Sequence, residues 1–177
     1  YGFGLYGIGE SSLLKLRLWN QASFGEDLIY GPAGGPLYYW DAGSGINSRG
    51  AALTGSDIPT QHDLLLISDI SRFVFVFGTN NLGSVTYDPM LIRWSDQEDA
   101  TNWTPSATNL AGDLRLSRGS QIISVKQARQ EILVWTDQAL YSMQFLGAPA
   151  AWGAQLVGEN ITVMSPNCTA YANGIAF

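Results

Sequence analysis

Four short apolar segments, around Leu28, Val74, Ile132 and Ile175, recur along the chain at intervals of 46, 58 and 43 residues. In three of them a turn leads on to a second segment that ends in an aromatic. Leu28-Ile29-Tyr30 leads to Tyr39-Trp40-Asp41, Val74-Phe75-Val76 to Arg93-Trp94-Ser95-Asp96, and Ile132-Leu133-Val134-Trp135 to Met143-Gln144-Phe145. These runs are rich in β-branched and aromatic residues and bounded by Gly, Pro, Asn, Asp or Ser, so they read as strands. No stretch of helical length places its apolar residues on one face of a 3.6-residue period. A helix-free unit of about 40 to 50 residues holding three or four strands is the sequence signature of a β-propeller blade. One four-stranded sheet cannot bury both of its faces alone, so such units stack side by side. The expected fold class is all-β, with propeller-like repeated antiparallel sheets. About three to four blades fit in the chain, a partial propeller. A β-sandwich is the rival architecture.

The longest interval contains Leu91-Ile92-Arg93-Trp94-Ser95-Asp96-Gln97-Glu98-Asp99, followed by Trp103-Thr104-Pro105. Ile92 and Trp94 point to one face of a strand, Leu91 and Arg93 to the other. Ser95 and Asp96 end that strand, because short polar side chains bond nearby backbone and favour a turn. An acidic insertion loop near 95–120 follows, with Trp103 expected to fold back as an anchor beside Trp94. The carboxylates of this loop lack the ligand spacing and central glycine of a calcium loop. Trp94, Ser95, Asp96 and Trp103, with the strand-end Trp40 and Trp135, are therefore candidates for packing and interaction.

In chain order, residues 1–9 alternate glycine with aromatic and aliphatic side chains. Gly2, Gly4 and Gly7 formally match the G-x-G-x-x-G dinucleotide fingerprint, but that motif needs a strand before it and a helix after it. Leu14 to Trp19 instead alternates with period two and reads as a strand. Residues 1–19 are thus taken as a Gly/aromatic arm with a first strand, and 20–177 as the repeated body. Further strands are expected at Asp63 to Ser68, Arg72 to Phe77, Met90 to Trp94, Gln121 to Val125 and Ala139 to Phe145. Ile161 to Met164, Ala170 to Ala172 and Gly174 to Phe177 begin the pattern again.

The formal net charge is −6, which opposes a dedicated nucleic-acid binder. One window runs the other way: from Leu114 to Gln130 there are Arg115, Arg118, Lys126 and Arg129 and no acid. These are expected to be solvated strand faces; a contact to an acidic partner is the sharper reading. Only 14% of residues are charged, against about a quarter in ordinary soluble domains. That deficit points to a subunit inside an assembly. A lone cysteine, Cys168, excludes an intrachain disulfide, and no apolar run is long enough for a membrane helix. The chain starts without Met and stops in an apolar run, so it is expected to be a fragment of a longer one.

The sequence offers no active site. His62 is the single histidine, there is no G-x-S-x-G elbow, and one His with one Cys cannot make a nitrogen–sulfur metal site. Ser95-Asp96 and Trp103 only superficially match the hairpin of sialidase-type propellers, because the spacing differs and the glycine is missing. The sequons at Asn102, Asn160 and Asn167 stand without a secretion signal. No catalytic, cofactor-binding or metal-binding residue is assigned.

Several stretches together resemble virion structural proteins of tailed bacteriophages. They are Ile92 to Asp99 with Asn102-Trp103-Thr104-Pro105, Ala111-Gly112-Asp113-Leu114-Arg115-Leu116, Arg129 to Asp137, Tyr141 to Phe145 and Gly158 to Ile161. Phe24-Gly25-Glu26-Asp27-Leu28 and Tyr38-Tyr39-Trp40-Asp41 extend the likeness over most of the chain. Within that group the repeat is similar to the tail nozzle (tail tubular or stabilisation) proteins of short-tailed phages. The resemblance implies a non-enzymatic subunit of a hexameric ring in the phage tail. It also implies contacts to tail or portal-adaptor proteins, with viral DNA passing through without specific binding. A glycan-binding or glycan-cleaving propeller of a receptor-binding tail protein is the alternative.

Overall fold

The computed structural model describes residues 18–176, so the Gly/aromatic arm and most of the strand expected at Leu14 to Trp19 lie outside the described residues. Fourteen strands follow in order. The first sheet comprises β1 (Trp19–Phe24), β2 (Asp27–Pro32), β3 (Tyr38–Trp40) and β4 (Ala51–Ala52). The second comprises β5 (His62–Ile67), β6 (Val74–Asn80), β7 (Tyr87–Trp94) and β8 (Gly112–Arg115). The third comprises β9 (Ile122–Gln127), β10 (Glu131–Thr136), β11 (Ala139–Gly147) and β12 (Ala151–Glu159), and β13 (Tyr171–Ala172) pairs with β14 (Ile175–Ala176). The first three sheets are four-stranded antiparallel meanders, each paired in chain order, and no sheet closes into a barrel. A single 3-10 turn, Ala42–Ser44, is the only helical element among the described residues.

The proposed repeat positions coincide in this topology. Leu28, Val74 and Ile132 each lie in the second strand of their sheet, and Ile175 lies in the second strand of the last hairpin. The two faces of β6 show why such sheets must stack. Val74 and Val76, with Leu65 of β5, join Ile29, Leu37 and Tyr39 of the first sheet in one core. Phe73, Phe75 and Phe77, with Ile92 and Trp94, join Ile132, Val134, Tyr141 and Met143 of the third sheet in another. Every residue of β6 is buried as a result. The outer face of the third sheet, through Leu133 and Trp135, is covered by Val163 and Tyr171. The sheets are therefore blades in a propeller-like stack, with Leu28, Val74 and Ile132 all on the face turned toward the preceding position.

Local geometry follows from side-chain choice. Phe75 stands opposite Trp94, and Phe77 opposite Ile92, so large side chains meet across the ladder on one face. The register then slips between Phe77 and Thr79, where Gly78 has a φ of +62°. That left-handed backbone is one only glycine adopts without strain, and it forms a bulge that tightens the twist.

Two expectations need correction. Trp103 does not sit beside Trp94: it packs with Ile29, Val74 and Val76, whereas Trp94 packs on Phe75, on the opposite side of the second sheet. Its own Nε1–H donates to the Ala100 carbonyl at 2.8 Å, which fixes the ring within the loop. Residues 161–164, expected to begin the pattern again, form no strand, and the third blade is completed by β12 at Ala151–Glu159, a strand the sequence pattern does not mark.

Candidate functional site

The first strands of the three blades, β1, β5 and β9, are all edge strands, and they come together along one line of the stack. These edges, with residues 164–171, wall a crevice. Trp19, Asn20, Asp63, Gln121, Met164 and Asn167 line one end, which encloses about 280 Å³. Gln21, Leu65, Val125 and Lys126 line its continuation. Asn20 Nδ2 donates to the Asp63 carbonyl at 2.9 Å, tying β1 to β5. The Ser124 hydroxyl donates to the Pro166 carbonyl at 2.8 Å and lies 2.8 Å from the Thr169 hydroxyl, tying β9 to the covering segment. An exposed strand edge offers unpaired backbone donors and acceptors, and side-chain amides add short-range hydrogen-bonding groups. Asp63 and Lys126 are the two charged side chains in this wall.

Electrostatics around the crevice are held within the chain. The Tyr87 hydroxyl donates to the Asp63 carboxylate, and burial followed by that bond pushes the phenol well above its ordinary value. At the outer rim the Tyr39 hydroxyl donates to Asp27, which raises the phenol to about 12 and lowers the carboxyl. His62, where the first and second blades meet, is fully buried, and desolvation holds its pKa down to about 4.

The residues singled out from the sequence are dispersed rather than convergent. Trp94 Nε1–H donates to the Leu110 carbonyl at 2.8 Å. Ser95 accepts from the Val74 N–H at 3.1 Å and donates to the Asp96 carbonyl at 2.9 Å. Asp96 accepts the N–H groups of Gln97 and Leu110 at 2.8 and 2.9 Å. Together they pin both ends of the connection between β7 and β8. Trp40 donates to the Ser48 carbonyl at 3.1 Å on the rim, and Trp135 belongs to the outer core of the third blade. Arg115 pairs with Asp88 at 2.6 Å, and Arg118 with Glu159 at 2.9 Å. The acid-free window is thus partly neutralised by carboxylates brought in from other strands.

Neither a family model nor a curated protein matches the chain. The site therefore rests on its own geometry. Among the described residues no three His, Cys, Asp or Glu side chains stand together as metal ligands would, and no helix is long and apolar enough to cross a membrane. The crevice residues Asn20, Gln121 and Asn167 carried no signal in the sequence, since single amides in polar contexts look like loop residues. The one available cue was positional: each lies in, or immediately beside, the first strand of a repeat or the segment that follows the last full one.

Proposed function

We propose that this chain is a non-enzymatic structural subunit of a tailed-phage virion, a component of the tail nozzle or tube around the exiting genome. The observation that carries the structural reading is where the charged groups are spent. Arg72 pairs with Glu98, Arg93 with Asp57, Arg115 with Asp88 and Arg118 with Glu159, each bond tying a loop or strand to another. Catalytic groups are arranged to converge on a cleft with perturbed proton affinities; these are distributed along the stack as ties. The resemblance of the Ile92–Pro105 and Ala111–Asp137 stretches supplies the virion context. The net charge of −6 suits a part past which DNA must move, because each phosphate held by a cation adds counterion-release affinity. Mass spectrometry of purified particles and immunogold labelling of tails test the reading. The expected result is stoichiometric protein at the tail tip, in rings of six seen by electron microscopy. Particles that lack the protein overturn it.

A second reading is favoured by one observation. Trp19, 62% exposed, stands at the crevice end with Asn20, Gln121 and Asn167. An open indole beside amides is suited to stacking on and hydrogen-bonding a sugar, so glycan binding is the alternative. Trp103 cannot serve it, being 1% exposed. Binding on a glycan array that is lost with Trp19→Ala would establish this reading over the first.

A further inference from the structure

The face of the first blade turned away from the second carries a row of aromatic side chains that the segment from Ser48 to Gly50 covers only in part, leaving Tyr30, Tyr38 and Trp40 half-buried. Cross-strand register puts Gln21, Tyr30 and Tyr38 on it together, and Ser23, Leu28 and Trp40 beside them. Tyr30 stacks on Tyr38 with ring centroids 5.6 Å apart, and Trp19 lies 6.3 Å from Tyr30. We propose that this face is the seat of a second copy of the same chain, packed head to tail. The proposal rests on the reading of the chain as an assembly subunit and names the surface through which it assembles.

The argument is continuity with an interface the chain already forms twice. The equivalent faces of the second and third blades, bearing Val74 and Val76, and Ile132 and Val134, are fully buried against the blade before. Only the first blade's version is left half-exposed. Past the third blade, aliphatic side chains are left in water: Ile161 and Ile175 are 42% and 58% exposed. Between the second and third blades, aromatics Phe75, Phe77 and Trp94 meet aliphatics Ile132, Val134 and Met143. Seating the aliphatic end of one copy on the aromatic end of the next repeats that combination. Two different surfaces on one chain make a heterologous contact, which closes into a ring when the rotation allows.

The test uses the full-length protein carrying Cys168→Ser. Sedimentation velocity gives its oligomeric state, and hydroxyl-radical footprinting reports access to Trp19, Tyr30 and Tyr38. Trp19→Lys and Tyr38→Lys are compared with it, with circular dichroism and thermal melting to confirm folding. The expected result is an oligomer protecting all three rings, with association weakened roughly thirtyfold by either folded variant. A second pair, Gln21→Cys and Ile175→Cys on separate copies, is expected to cross-link only in the assembled state. A monomer at all concentrations overturns the proposal. So does a monomer whose three rings are already protected, or an oligomer indifferent to both variants. Assembly that responds to the variants in a protein missing from particles removes the virion reading and leaves this interface standing. Protein present in particles, with assembly that ignores the variants, does the reverse.

Discussion

The guanidinium of Arg93, wholly buried in β7, lies 2.9 Å from the Asp57 carboxylate and donates to the Asp57 carbonyl at 2.7 Å. A further bond reaches the Asn80 carbonyl at 3.3 Å, and the same Asp57 carboxylate accepts the Gly83 N–H. One buried charge thus gathers the loop between β4 and β5 and the turn between β6 and β7 over the edge of the second blade. Burial pulls the Arg93 proton affinity down, and Asp57 opposes that pull. Arg93 Nε has no partner at all, so the ion pair carries most of the compensation for desolvation.

Removing only the acid is therefore worse than removing the charge. Asp57→Ala leaves a buried guanidinium with carbonyls alone, and a loss of about 3 to 5 kcal/mol is expected in urea unfolding. Arg93→Met fills similar volume without a charge and is expected to cost less. The double variant should recover part of what Asp57→Ala loses. Equal stability of Asp57→Ala and the parent would show that the pair is not what holds these loops.

The two exposed extremes among the tryptophans give a second contrast. Trp103 is sealed among Ile29, Val74 and Val76, and Trp103→Ala is expected to cost about 3 to 5 kcal/mol through lost burial and the cavity left behind. Trp19 stands largely in solvent, so Trp19→Ala is expected to stay within roughly 0.5 kcal/mol of the parent in the monomer. Similar denaturation midpoints for the two variants would contradict the assigned burial.

The blade stack was legible in the sequence because both faces of an inner sheet must be apolar. That requirement left strong second strands at Leu28, Val74 and Ile132. Weaker strands escaped for the opposite reason. β12 reads Ala-Trp-Gly-Ala-Gln-Leu-Val-Gly-Glu, with two glycines and an exposed end, so its pairing to β11 decides its conformation rather than its own pattern. Ile161 to Met164 has the composition of a strand but finds no ladder partner and crosses the third blade as irregular chain. Trp103 was correctly read as an anchor and misplaced by one sheet thickness, because a loop can return to either face. The crevice was not legible: its amides come from positions 20, 121 and 167, and only the closing of the stack brings them together.

Gly31 marks a second point where the first two blades are fitted closely. A Cβ there would stand 2.5 Å from the Pro36 carbonyl oxygen and 2.6 Å from His62 Cε1. One neighbour is backbone and the other a fully buried ring, so neither yields freely. Gly31→Ala is expected to lower stability by roughly 1 to 3 kcal/mol, measured by urea unfolding. A neutral substitution would mean that the seam between the blades is looser than this spacing requires.

The same seam should make the fold acid-sensitive in one identifiable way. His62 Nδ1 lies 2.8 Å from the Gly35 carbonyl, which can only accept, so the neutral ring carries its proton there. Nε2 is buried without a partner, and a second proton would bring a charge that nothing nearby balances. Desolvation holds the folded pKa at about 4, against 6.5 for the free side chain, with the Gly35 bond opposing. Between those two values the unfolded chain binds more protons than the folded one, so stability falls as pH falls. The loss is absent above the unfolded value, grows through the window and levels off below the folded one, reaching about 3 kcal/mol. His62→Asn keeps a donor for Gly35 but cannot titrate. Urea midpoints measured for both proteins from neutral to acid pH are expected to converge as the pH drops, the histidine form losing more. Parallel curves across the window would show that this imidazole does not titrate differently on folding.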